Sequence, residues 1–150
     1  MTINIANILA TVQGHAQESG YFTSVLLHEP KSAPGPGLTC VIWTDRIEPA
    51  KSSITSVSAN LVLQVRLYTD MLQSPEDAID ASLILAADAL FTAYVGDFQL
   101  GGESRYIDVF GSEGTPMDCR FGYLEQDKQL FRFALITLPI IVNDVWTEAA

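Results

Sequence analysis

Cysteine and histidine, the residues that most often build metal and redox sites, are scarce in this chain. Its 150 residues include only two cysteines, Cys40 and Cys119, and two histidines, His15 and His28. Two cysteines are too few for a disulfide framework or a four-cysteine zinc site. Both fall in segments predicted as strands, so they pair only if those strands are neighbours. Otherwise they are small apolar residues of the interior.

Positive charge is scarce as well. The chain has 8 lysine and arginine residues against 18 aspartate and glutamate residues, which gives a formal net charge of −10 at pH 7. Because proteins gain affinity for nucleic acid largely from cations that neutralise phosphates, this balance argues against a DNA clamp or a repressor. It argues equally against a protein that binds an anionic membrane surface.

Long apolar runs and a signal-peptide pattern are both missing. The longest runs, at residues 82–87 and 138–142, are far shorter than the ~20 residues of a membrane span. No basic segment followed by an apolar one stands at the N-terminus. With 48% hydrophobic and 17% charged residues, the chain is too apolar for intrinsic disorder. Its length predicts one domain, residues 1–150, that needs no disulfide, metal or cofactor to fold.

Apolar residues at helical spacing predict two helices. The first runs over residues 5–16 with one apolar stripe and ends before Gly20. The second spans residues 75–95, where Ser74 caps the start and Pro75 suits the first helical position. It carries two adjacent stripes, which are Ile79, Leu83, Ala86, Leu90 and Tyr94, and Ile84, Ala87, Phe91 and Val95. We expect the first stripe to pack on a sheet, and the second on the first helix or on another subunit.

Strand patterns fill most of the remaining chain. They predict strands at residues 22–27, 38–47, 60–68, 106–110, 119–124 and 130–141, the last two as an antiparallel hairpin. A serine-rich connector at 52–58 and the loops 29–37 and 101–117 separate them, and residues 143–150 are expected to be an irregular tail. The order of elements predicts an α+β fold, a mostly antiparallel sheet flanked by two main helices in a single domain.

No catalytic motif is recognisable in the sequence. The nucleophile motif Gly-x-Ser-x-Gly and the phosphate-binding loop are absent, and the glycines lack dinucleotide-binding spacing. His15 and His28 have no further ligands at metal-binding spacing. Glu76 and Asp77 are explained by the positive end of the helix dipole, and Asp80 by solvation. We therefore predict a non-enzymatic protein with no catalytic, cofactor-binding or metal-binding residues.

A few residues are candidates for contacts with other subunits. Tryptophan is enriched at interfaces, which selects Trp43 and Trp146, although Trp43 fits a core position better. Trp146 lies in the predicted tail, where a large aromatic side chain docks on its own domain or on a neighbouring subunit. The other candidates are Phe91 in the second helical stripe and Lys31, Pro34 and Pro36 in the 29–37 loop.

Several stretches, in order along nearly the whole chain, resemble a known family. They are VLLHEPK at 25–31, APGPGLT at 33–39, VRLY at 65–68, SPEDAID at 74–80, GDF at 96–98, RYID at 105–108 and LPIIVNDVW at 138–146. Together they are similar to the tail terminator, or tail completion, proteins of long-tailed, non-contractile-tailed bacteriophages, especially phages of actinobacteria. Each stretch is short and carries no chemistry, so their common order along the chain is what makes the resemblance.

The resemblance implies a structural protein of the virion. Such proteins form a homo-oligomeric ring, commonly of six subunits, that caps the head-proximal end of the tail tube. The ring stops tube polymerisation and joins the tail to the head–tail connector or stopper protein, after assembly in the host cytoplasm. The alternatives are a head-completion or stopper protein of the neck, a monomeric adaptor that binds a peptide by strand addition, and a small enzyme with acidic chemistry.

A ring at the end of a tail tube must let DNA pass through its bore without binding it tightly. Because an acidic bore repels phosphates, the net charge of −10 suits this task. Seven acidic residues in or beside the loops of the second half are candidates to face the lumen. They are Asp97, Glu103, Asp108, Glu113, Asp118, Glu125 and Asp127.

Overall fold

The computed structural model describes residues 3–28, 37–51, 55–70, 78–97, 99–102, 104, 106–126 and 128–147. Two helices, α1 (Ile5–Glu18) and α2 (Ala78–Gly96), and a 3-10 turn at Leu100–Gly102 lie within them. The strands are β1 (Ser24–Leu26), β2 (Thr39–Lys51), β3 (Ser56–Asp70), β4 (Tyr106–Ile107), β5 (Asp118–Gln126) and β6 (Gln129–Thr147). The predicted helix start at 74–77 and the predicted loop at 29–37, apart from Gly37, lie outside the described residues.

All six strands belong to one sheet. Its order is β1-β2-β3-β6-β4, and β5 also pairs with β6. Along the same edge of β6, β4 pairs with residues 140–141 and β5 with residues 129–137. The pairs among β2 to β6 are antiparallel, whereas β1 runs parallel to β2. The chain is therefore one α+β domain, as expected, with a mixed sheet.

Both helices pack on the same face of the sheet. Alternate residues of β3 and β6 point toward them, because successive side chains of a strand face opposite sides. From α1, Ile8, Val12 and Ala16 are buried. The first predicted stripe of α2 is confirmed, since all five of its residues are buried, namely Ile79, Leu83, Ala86, Leu90 and Tyr94. The helix-covered face thus holds the main hydrophobic core.

The opposite face of the sheet carries a smaller core. Val41, Tyr68 and Phe131 are buried together there. Gly122 on β5 lies directly opposite Phe133 on β6, and a Cβ atom at position 122 would stand 2.7 Å from the Phe133 ring. Glycine at this position therefore leaves room for the Phe133 ring beside the neighbouring strand. A one-atom side chain there would force the ring to move.

The predicted irregular tail at 143–150 is wrong over its described part. Residues 143–147 are the last part of β6, because Trp146 pairs with Val57 and Thr147 with Ser56. Before that pair the register shifts, and the Ser58 hydroxyl oxygen lies 3.1 Å from Asn143 Oδ1 and accepts the Asp144 N–H at 3.1 Å. The polar pair at 143–144, which suggested a loop, thus forms a bulge inside a strand.

The helix α2 is more hydrophobic than the contiguous apolar runs suggested. Its segment Ile79–Gly96 has a mean hydropathy of 1.5 and is long and apolar enough to span a membrane by length and composition. Leu83, Leu90 and Tyr94 are nevertheless fully buried against the sheet. The high hydropathy of α2 therefore has two sources, the stripe that is buried in the core and the second apolar stripe beside it.

Candidate interaction surfaces

Apolar side chains lie close together at the end of the sheet where β2 ends and β3 begins. β2 pairs with β3 without a register shift over residues 46–51, and Val57 of β3 pairs with Trp146 of β6. By strand alternation Ile47, Pro49 and Val57 lie on the helix-covered face, while in β6 it is Val145, next to Trp146, that is buried in the main core. Ile47 and Trp146 are 50% and 41% exposed, so the rest of the domain leaves both side chains largely uncovered. We call these four residues the arm patch.

Trp146 is predicted to dock on its own domain or on a neighbouring subunit, and its backbone and its side chain differ in this respect. Its backbone docks on its own domain through the pairing with Val57. Its indole remains available for another molecule, since tryptophan this exposed has apolar area still in contact with water. Its role in an interface stays a prediction.

The second stripe of α2 is largely open. Ala87 is buried and Phe91 is half-buried against the core, but Ile84 is 55% exposed and Val95 is exposed too. α1 lies on the other side of α2, where the Tyr94 hydroxyl donates to the Val12 carbonyl at 3.1 Å. The expectation that α1 covers this stripe is therefore wrong, and contact with another subunit through it stays a prediction.

Trp43 lies in a cluster of aromatic rings around Arg66. The guanidinium carbon of Arg66 is 4.7 Å from the centre of the Trp43 ring and 5.5 Å from those of Tyr68 and Phe133. Arg66 Nη1 also donates to the Tyr68 hydroxyl at 2.7 Å. Because Trp43 is half-buried in this cluster, its contacts within the domain account for its presence.

The loop candidates Lys31, Pro34 and Pro36 lie outside the described residues. The same is true of two lumen candidates, Glu103 and Asp127. Their placement at an interface or a bore stays a prediction.

The remaining acidic candidates do not converge on one surface. Asp118 and Glu125 are an odd number of residues apart on β5, so their side chains point to opposite faces of the sheet. Asp118 pairs with Arg120 at 3.3 Å. Asp97 accepts the Gly101 N–H at 3.2 Å and contacts His15 Nε2 at 2.8 Å, and the His15 hydrogen bond lowers the pKa of Asp97. Asp97 and Asp118 thus have local structural partners, and the side chain of Glu125 points to the opposite face of the sheet from that of Asp118.

Asp108 cannot face a lumen. Its side chain is 2% exposed, and its two carboxylate oxygens accept the N–H groups of Ser112 at 2.8 Å and Glu113 at 2.9 Å. Because a further subunit can only bury it more, the prediction for Asp108 is wrong. The residue instead fixes the turn of residues 108–113, where Gly111 has a φ of +75°. Glu113 itself is half-buried in that turn.

A polar cleft of about 380 Å³ lies on the sheet face opposite the helices. Arg46 of β2 and Arg120 of β5 line it, with Gln64, Thr115 and Thr137 between them. Arg46 Nη2 donates to Thr115 Oγ1 at 2.9 Å, so the loop before β5 is tied across the sheet to β2. Arg46 also pairs with Asp45 and Glu48 at 2.6 and 2.8 Å. The cleft is therefore charge-balanced and bridged.

The cysteines are not adjacent. Cys40 lies on β2 and Cys119 on β5, with β3 and β6 between them, and both are free thiols. Burial raises the pKa of Cys40 to about 12 and, with Asp118 nearby, that of Cys119 to about 11. Both thiols are thus protonated at neutral pH and are poor nucleophiles. In the described ranges, no three histidine, cysteine or acidic side chains are grouped closely enough to hold a metal ion.

Two arginines that organise the sheet surfaces were not singled out by the sequence. Besides Arg66, Arg132 on β6 lies over the rings of Phe121 and Tyr123 and donates from Nε to Asp80 Oδ1 of α2 at 3.0 Å. The available signal was the segment FRF at 131–133 opposite an aromatic-rich strand in a hairpin. This segment predicts the arginine–aromatic contacts only when the pairing register of β5 and β6 is known.

No known protein family matches the chain, and no curated protein matches it. Similar solved structures exist. One belongs to the virion of a native gene transfer agent particle, at 18% identity and a TM-score of 0.48, over 93% of this chain and 94% of that chain. Another is the sheath/tube terminator, in the extended state, of the extracellular contractile injection system PVC, at 10% identity and a TM-score of 0.39. That match covers 100% of this chain but only 61% of the other, less than two thirds of its length.

Proposed function

We propose that this protein is a phage tail terminator, a non-enzymatic virion protein that assembles into a ring, commonly of six copies. The ring caps the head-proximal end of the tail tube, stops its polymerisation and joins it to the head–tail connector. It forms in the host cytoplasm and remains at the neck-proximal end of the tail. The ordered sequence resemblance along nearly the whole chain supports this function.

The arm patch is the observation that carries the proposal. A folded domain with a sufficient core does not need Ile47 and Trp146 in water, yet both are exposed at the end of the sheet where β3 begins between β2 and β6. Burial of an exposed apolar side chain contributes about 1.5–3 kcal/mol, and tryptophan is typical of binding hot spots. We infer that a neighbouring copy covers this patch. If it does so with a different surface of its own, the contact is heterologous, and such contacts form a ring when the rotation between neighbouring copies closes.

The bore of the ring is proposed to be acidic and to pass DNA without tight binding. The net charge of −10 supports this part of the proposal. Glu125 is exposed, whereas Asp118 is paired with Arg120 and Asp97 with His15. Glu125 is thus the candidate among the described residues whose exposure best suits a lumen.

Replacement of Trp146 by alanine is expected to weaken assembly by about 30-fold, because a hot-spot residue contributes about 2 kcal/mol. Sedimentation of the purified full chain over a range of concentrations measures this effect. The matched control is Tyr21→Ala, since Tyr21 is 42% exposed against 41% for Trp146 but lies near β1, away from the arm patch. Its assembly is expected to equal that of wild type.

Circular dichroism of both variants separates a folding defect from an assembly defect. The proposed role of the arm patch fails if a folded Trp146→Ala variant assembles like wild type, or if Tyr21→Ala is impaired to the same degree. A wild-type chain that remains monomeric instead favours the strand-addition adaptor.

A further inference from the structure

An apolar groove runs along α2 on the side that faces β5. At the start of the helix, Asp80 Oδ1 accepts a hydrogen bond from Arg132 Nε at 3.0 Å. Arg132 lies on β6 directly opposite Tyr123 of β5. Its guanidinium carbon is 4.5 Å from the centre of the Tyr123 ring and 5.9 Å from that of Phe121. These contacts place the helix surface that follows Asp80 beside β5.

The same helix surface reaches the loop after β4 at its other end. Ile84, Phe91 and Val95 follow Asp80 at the spacing of one helical stripe. Val95 lines a cavity of about 340 Å³ together with Phe110, the most exposed of the large apolar side chains in the described part of the chain. We define the α2–β5 groove by Ile84, Phe91, Val95, Phe110, Phe121 and Tyr123.

Within the described residues, the helical layer does not extend over this groove. α1 packs against β1, β2 and α2, near the edge of the sheet opposite β5. No described element lies over the groove, and Ile84 and Tyr123 are 55% and 62% exposed. Since a helix with its side chains is about 10 Å wide, one added helix beside α2 would complete the layer over β5.

The charged side chains around the groove are mostly acidic. α2 carries Asp80 and Asp88 and has no lysine or arginine. On β5, Glu125 follows Tyr123 on the same face of the strand. Arg132 and Asp80 neutralise each other as a pair, and Lys128 lies in the hairpin turn three residues after Glu125, so Asp88 and Glu125 leave a net negative charge beside the groove. An occupant with cations beside its apolar face therefore fits this groove best.

We propose that the α2–β5 groove binds an amphipathic helix of a partner protein, with one apolar face flanked by lysine or arginine. A helix from a second copy does not fit, because neither α1 nor α2 contains a lysine or arginine. The proposal goes beyond the ring and holds whether or not the chain forms one. In a tail terminator, the partner is a different protein of the tail or neck.

Fluorescence anisotropy with a labelled helical peptide tests the proposal on the full chain. The probe has about five turns, with leucine on one face and lysine on both flanks. We expect saturable binding to wild type and about tenfold weaker binding to Ile84→Ser, because that change removes part of the buried apolar area. A peptide with glutamate in place of lysine is expected to bind at least about tenfold more weakly.

The matched control is Leu85→Ser, because Leu85 is as exposed as Ile84 but lies about 100° further around the helix. Its affinity is expected to equal that of wild type. Val95→Ser serves as a second groove variant, and circular dichroism verifies that all variants fold. The predicted pattern is a loss in both groove variants and none in the control.

Several results overturn the proposal. Equal losses in Leu85→Ser and Ile84→Ser would mean nonspecific attraction, and equal binding of the glutamate peptide would contradict the charge argument. A lower sedimentation mass of Ile84→Ser than of wild type would assign the groove to a second copy. Loss of binding to phosphatidylcholine vesicles in Ile84→Ser, with peptide binding unchanged, would assign it to a membrane. A failure of the proposed ring function, by contrast, is detected by sedimentation of the Trp146→Ala variant and does not affect peptide binding to the groove.

Discussion

Leu83→Asp is expected to leave the chain unfolded. Leu83 is fully buried between α2 and the sheet, where a carboxylate has neither water nor a cation to stabilise it. The variant loses the burial of leucine, about 2 kcal/mol, and adds the cost of an unpaired buried charge, several kcal/mol more. That sum is comparable to the whole stability of a domain, about 5–15 kcal/mol.

Urea unfolding followed by circular dichroism measures this effect, with Leu85→Asp as the control. Leu85 lies on the same helix two residues further on but is 55% exposed. The control is expected to change the free energy of unfolding by about 1 kcal/mol or less, mainly through helix propensity. A Leu83→Asp variant with wild-type stability would contradict the packing of α2 described above.

Asp108→Ala is expected to lower the free energy of unfolding by about 3 kcal/mol. The carboxylate is the buried acceptor for the N–H groups of Ser112 and Glu113, and hydrogen bonds to a charged acceptor contribute about 1.5–3 kcal/mol each. Alanine leaves both N–H groups without this acceptor. We also expect faster amide hydrogen exchange at residues 112–113, since the turn loses its anchor.

The control for Asp108→Ala removes the same charge from an open position. Asp88 is exposed on α2, so Asp88→Ala is expected to change stability by less than about 0.5 kcal/mol. If both variants have the same free energy of unfolding as wild type, Asp108 does not anchor the turn. If both are destabilised equally, net charge rather than hydrogen bonding is responsible.

The helices and the centre of the sheet could be predicted from the sequence because local periodicity determines them. The buried stripe of α2 repeats at helical spacing from Ile79 to Tyr94, and β3 alternates from Leu61 to Leu67. Both patterns depend only on which face meets the core. The class of fold followed from the order of these elements.

The end of β6 could not be predicted, because long-range pairing determines it. Asn143 and Asp144 are typical of turns, and in isolation they argue against a strand. In the fold, Ser58 of β3 contacts both residues within a bulge, and the strand continues to Thr147. A residue 85 or more positions away thus decides the local structure.

The acidic residues illustrate the same limit for the candidate site. The sequence predicts that a carboxylate in a glycine-rich loop is exposed to solvent. The backbone N–H groups of such a loop, however, are not paired in a helix or strand and need an acceptor. Asp108 supplies that acceptor, and its charge therefore points inward. The exposed surfaces that remain, the arm patch and the α2–β5 groove, are apolar and became visible only when the helices were placed on the sheet.

Negative-stain electron microscopy of the purified wild-type chain tests the central claim most directly. A tail terminator is expected to form rings of uniform diameter with a central channel, predominantly with six subunits, at concentrations where Trp146→Ala forms few or none. Fields that contain only particles of the 16.4 kDa monomer, at every concentration at which the chain is soluble, would contradict the account.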